Sequence, residues 1–152
     1  MEDISEDHAA SVLQRAEVGH VAVIADGRPY VTPISFVFDR GSIYMRMFPG
    51  RRLSAMQANP EVSFEVVSYR EGGQDWDSVV VSGSVAVVED ANEVTDATQL
   101  LLEKYRTDGV AVSWGVPELV PGRPEVVRLV IAEMTVRTSG TGLGPRIRPG
   151  RL

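Results

Sequence analysis

Cysteine is absent from the 152-residue chain, which removes disulfides, thiolate nucleophiles and cysteine-ligated metals together. Only two histidines occur, His8 and His20, which leaves little for a zinc centre. No apolar run approaches the roughly 18 residues of a membrane span. The acidic start MEDISEDHAA lacks the basic segment and apolar core of an export signal. A net charge of −6 argues against bulk binding to nucleic acid. Motifs are missing too: there is no G-x-S-x-G elbow, no P-loop and no dinucleotide fingerprint leading into a helix. These absences predict a cytoplasmic protein with no metal, nucleic-acid or membrane partner, and they nominate no catalytic side chain. They suit a chain that positions a cofactor and leaves the electron chemistry to it.

What is present is β-structure with clear punctuation. Ala9, Val12, Leu13 and Ala16 follow Ser5 at helical spacing, with Ser5 as the expected cap. Strands are expected over His20–Ala25, Arg28–Phe38, Ser42–Phe48, Glu61–Tyr69, Ser78–Val88 and Glu125–Arg137. Asp26-Gly27 and Asp39-Arg40-Gly41 supply the first two turns. Pro33 lies inside the second strand, where a residue without an N–H implies an edge or a bulge, and Gly83 marks a second candidate bulge. Helices are expected over Arg51–Ala58, closed by Asn59-Pro60, and over Ala91–Tyr105, capped by Asp90 with Val94, Ala97, Leu101 and Leu102 as its apolar stripe. Arg70–Asp77, carrying Trp76, and Thr107–Pro124, carrying Trp114, are expected loops. Residues 1–137 form one domain in this reading, and 138–152 a tail rich in glycine, proline and arginine. The pattern predicts a mainly β fold with flanking helices, a six-stranded antiparallel barrel.

Between Gly41 and Pro60 stand Arg46, Arg51 and Arg52 with no acidic residue among them, a local reversal of sign in an acidic chain. A strand side chain and two at a helix start can converge on one anion, and the helix start adds free N–H groups. The other reading is three solvated arginines paired with nearby carboxylates. Thr32, Pro33, Ile34 and Ser35 attract notice because bulges border sites; the other reading is an ordinary barrel strand. Tyr30, Tyr44 and Tyr69 are expected to be structural, His20 a hydrogen-bonded structural residue and His8 a surface one.

The run DGRPYVTPISFVFDRGSIYMRMFPGRRLSAMQANPEVSFEV resembles the flavin-binding split-barrel proteins related to pyridoxamine 5′-phosphate oxidase. The resemblance is greatest to the branch of nitroimidazole-resistance proteins and deazaflavin-dependent reductases. It covers Gly19 to about Val88 well and the remainder in element order. The resemblance implies a homodimer with FMN at the interface, the flavin ring along Val31–Phe36 and its phosphate on Arg46, Arg51 and Arg52. Trp76 and the strand from Ser78 would lie near the ring or ribityl chain. It implies an oxidoreductase acting on a small molecule. The alternatives are a reductase using the deazaflavin coenzyme F-420, or a non-catalytic flavin- or haem-binding module. Departures are visible. The inner positions of the second strand read as Val31 and Ile34 where the oxidases carry basic residues. The C-terminal substrate-gripping signature of those oxidases is not recognisable, and no histidine stands near Met47 and Phe48.

Overall fold

The computed structural model describes residues 4–106 and 122–139. In chain order the elements are α1 (Ile4–Arg15), β1 (Gly19–Ala25), β2 (Arg28–Ile34), β3 (Phe36–Asp39), β4 (Ser42–Met47), α2 (Arg51–Ala58), β5 (Glu61–Tyr69), β6 (Trp76–Val87), α3 (Ala91–Lys104) and β7 (Glu125–Thr138). The strands form one seven-stranded sheet in the order β2-β1-β5-β6-β7-β4-β3, antiparallel at every pairing.

β2 and β3 are the two edges of this sheet, yet Ser35 alone separates them in the chain. Laid flat, seven strands would hold their edges about 29 Å apart at the usual strand spacing. One residue spans far less, so the sheet must curl until the end of β2 reaches the start of β3. The expected six strands become seven because Arg28–Phe38 is not one strand. It breaks at Ser35, where the chain leaves the partner β1 and takes up β4.

Asp26 and Gly27 have φ of 53° and 73°, and Arg40 and Gly41 have φ of 49° and 77°. These are two-residue hairpin turns whose handedness matches strand twist. Pro33 is in an edge strand, where its missing N–H costs no ladder bond. Gly83 marks the expected irregularity, a register shift at Ser82/Gly83 against β7.

The inward face carries Val21, Val23, Phe36, Ile43, Met45, Phe64, Val66, Val79 and Leu129, all buried. Phe36 and Phe64 meet edge to face, ring centroids 4.9 Å apart. α1 contributes Ala9, Val12, Leu13 and Ala16 to this core, and α2 contributes Leu53, Ala55 and Met56. α3 packs outside, with Ala97 in a smaller cluster with Val88 and Val126. Asp90 caps it as expected, its carboxylate accepting from the Glu93 N–H at 2.8 Å.

Several local expectations need correction. α1 begins at Ile4, so Ser5 lies within its first turn. Trp76 and Asp77 open β6 and are not loop residues, because they pair with Tyr69 and Ser68. Leu102 is exposed, since α3 has only one face against the sheet. Tyr69 is exposed as well, standing at the end of β5. Val31 points outward and is 59% exposed, whereas Ile34 is buried; only alternate residues of a strand face the core. Trp114 and the tail from residue 140 lie outside the described residues, as does 107–121. Among the described residues no helix is long and apolar enough to cross a membrane.

Candidate functional site

The most unusual cation is Arg52. Its Nη1 donates to the Thr32 hydroxyl at 2.9 Å and lies 3.3 Å from the Pro33 carbonyl. Its Nε is buried and has no hydrogen-bond partner among the described residues. Burial pulls its pKa below the ordinary guanidinium value, partly opposed by Tyr30. No carboxylate among the described residues lies within ion-pair distance of it. A half-buried cation without a counter-charge is disfavoured, which makes Arg52 a candidate contact for an anion.

The helix start beside it points the same way. Gly50 precedes α2 in extended conformation, no side chain caps the helix, and its first turn holds no acidic residue. The free N–H groups at the positive end of α2 are thus left to water or to an anion. Arg51 is less isolated. Its guanidinium stacks 4.6 Å over the Tyr30 ring and sits 4.0 Å from exposed Asp26.

Of the nine expected site residues, the described contacts unite Thr32, Pro33 and Arg52, with Arg51 adjacent in sequence and stacked on the same strand. Ile34 offers only backbone, since its side chain is in the core. Ser35 hydrogen-bonds with Tyr105. Arg46 projects from β4 near the Phe48 ring, 5.8 Å from its centroid. Trp76 and Ser78 lie on β6, three places from β2 in the sheet. The Ser78 hydroxyl donates to Glu65 at 3.3 Å, and the Trp76 N–H donates to the Ser139 hydroxyl at 2.7 Å. No hydrogen bond or ion pair among the described residues joins Arg46, Trp76 or Ser78 to the Arg52 group. His20 places its Nδ1 3.3 Å from a Glu65 carboxylate oxygen, a partner that the sequence did not name.

Two features escaped the sequence reading. Asp77, 1% exposed, is gripped by Arg70 through both carboxylate oxygens at 2.7 and 3.2 Å, with His8 and Arg15 each at 3.5 Å. Burial pushes its carboxyl up, but Arg70 and His8 hold it below the ordinary value. His8 is therefore engaged with Asp77 and is not simply a surface residue. The second feature surrounds the break at Ser35. The Phe36 N–H donates to the Tyr105 hydroxyl at 2.9 Å, and its carbonyl accepts from Lys104 Nζ at 2.9 Å. Helical spacing could not show either, because both depend on where α3 ends against the curled sheet. Among the described residues no group of three or more histidine or acidic side chains could hold a metal ion.

A family model described as pyridoxamine 5′-phosphate oxidase matches residues 5–138. An FAD-binding protein from Mesorhizobium loti superposes with a TM-score of 0.71 at 25% identity, over 90% of this chain and 96% of that one. A candidate pyridoxamine 5′-phosphate oxidase from Corynebacterium glutamicum superposes with a TM-score of 0.70 at 28% identity, over 91% and 97%. A curated relative, an uncharacterised protein from Rhizobium meliloti, is 29% identical over 80 residues, or 53% of this chain. The match spans only about half the length of that relative, 52%.

Proposed function

The chain belongs to the pyridoxamine 5′-phosphate oxidase family, and from that premise we propose that it binds FMN between two copies of itself as a flavin-dependent oxidoreductase acting on a small molecule. The observation that carries this reading is Arg52. It is half-buried, has no carboxylate partner among the described residues, and stands at the uncapped start of α2. A phosphate fits both deficits, because it supplies the counter-charge that the Arg52 guanidinium lacks and accepts from the free helix N–H groups. Arg51 completes the clamp, and Arg46 is assigned to the same phosphate. The flavin ring then runs along Thr32, Pro33, Ile34 and Ser35.

A flavin ligand is named for the Mesorhizobium loti protein, which supports a flavin over other phosphates. The second copy is supported by the outer sheet face, where Val31, Ile24 and Val80 are exposed apolar residues. Trp76 and Ser78 stand three strands from β2 and make no described contact with the Arg52 group. A partner packed on this face would bring them to it. Bound flavin supplies the electron-transfer chemistry. The polypeptide supplies charge for the phosphate, strand backbone for the ring and exclusion of water.

The test is calorimetric titration of FMN into the protein and into Arg52→Ala. Loss of a charge-assisted hydrogen bond is worth about 1.5–3 kcal/mol, so affinity should fall roughly tenfold to a hundredfold. The circular dichroism spectrum should not change. Wild-type affinity in the variant would remove Arg52 from the phosphate site.

A further inference from the structure

Lys104 is the only lysine in the chain; the other 14 of its 15 basic residues are arginine. It is placed where the curled sheet fails to close. Ser35 lets the chain leave β1 and join β4, so the β3 edge opposite β4 has no strand on it. The last turn of α3 fills that edge. Lys104 Nζ donates to the Phe36 carbonyl at 2.9 Å and stands 3.6 Å over the Phe36 ring. The Tyr105 hydroxyl accepts the Phe36 N–H at 2.9 Å. Its own proton is shared between the carbonyls of Glu17 at 2.7 Å and Phe36 at 3.0 Å.

Both polar backbone groups of Phe36 are thus held by α3, one residue beyond the segment assigned above to the flavin ring. We propose that protonated Lys104 is a positioning residue, a latch that holds α3 on the open edge of β3 and thereby sets the Thr32–Ser35 segment for the cofactor. The inference rests on the proposed function for its cofactor, and on this geometry for the latch.

Only the ammonium form makes both contacts at strength. The neutral amine has no charge for the ring and donates a weaker hydrogen bond to the carbonyl. Burial lowers the Lys104 pKa to about 8, opposed by Glu17 from the α1–β1 connection. The other titratable neighbour is Tyr105 on its own element, whose ring lies 5.4 Å away. Burial raises the Tyr105 pKa above its ordinary value, so it stays neutral while Lys104 titrates. β3 offers the Phe36 ring and carbonyl, neither of which titrates. The latch therefore opens in a mildly alkaline range.

A single lysine makes the experiment clean. Protein grown with 13C-labelled lysine has one lysine Cε signal, which reports the protonation of Lys104 directly. FMN affinity is measured alongside it at pH 7 and pH 9. If FMN takes only the latched form, affinity follows the protonated fraction and drops about tenfold between those values. Reciprocally, saturating FMN moves the lysine titration to higher pH. Lys104→Met should bind FMN weakly at both pH values with no difference between them, and Lys104→Arg should hold its affinity at pH 9. A pH-independent affinity in the wild type, or the same tenfold drop in Lys104→Met, would overturn the proposal. If FMN binds at neither pH, the flavin reading fails separately. The latch is then judged by the Phe36 amide signal: movement in step with the lysine signal upholds it, and a stationary signal refutes it.

Discussion

Arg52 and Asp77 show what a single charged residue reveals and conceals in a sequence. Arg52 was legible because its neighbourhood reverses the sign of the chain. Its burial and its missing partner were not, since those depend on how α2 sits against β2. Asp77 was hidden altogether. It reads as the end of a polar loop, and only the packing of α1 brings His8 and Arg15 to it. Its carboxyl is held below the ordinary value, so ionised Asp77 stabilises the fold above the usual carboxylate range. That contribution disappears as pH falls through the lowered folded-state pKa. Asp77→Asn should cost about 1–3 kcal/mol at pH 7, less than the roughly 3–5 kcal/mol of breaking a fully buried pair, because Arg70 and Arg15 can still reach water. Urea denaturation at pH 7 and pH 3 checks this. The variant should be the less stable at pH 7, the gap should narrow at pH 3, and equal stability at both would exclude the role.

Elements were more legible than their partners. Turn chemistry marked both two-residue hairpins, alternation marked β5, and β-branched content marked β6. The break at Ser35 was invisible, because Arg28–Phe38 has strand propensity throughout and only closure of the sheet decides that it must change partners. The stripe on α3 was read one residue too wide for the same reason, as Leu102 shows. Gly83 was legible, being a glycine within a β-branched strand. The structure supplies its reason: a Cβ there would run into the Val130 carbonyl and the Leu129 side chain. Gly83→Ala should therefore destabilise by about 1–3 kcal/mol through overpacking, seen as a lower Tm. An unchanged Tm would mean that the β6–β7 shift at this point yields freely.

At the scale of the molecule, the family and the curled antiparallel sheet follow from patterns spread along most of the chain. The proposed cofactor pocket does not, because the residues assigned to it are split. Arg51, Arg52 and Thr32 gather at one end of α2, while Trp76 and Ser78 stand across the outer face. A split of this kind makes sense if the pocket is completed by a second copy, a contact that no single chain can display. The central claim is therefore best tested by titrating the purified wild-type protein with FMN while light scattering reports its mass. The account predicts a dimer that takes up one FMN per chain, with the visible flavin bands shifted on binding. A protein that takes up no FMN would contradict it.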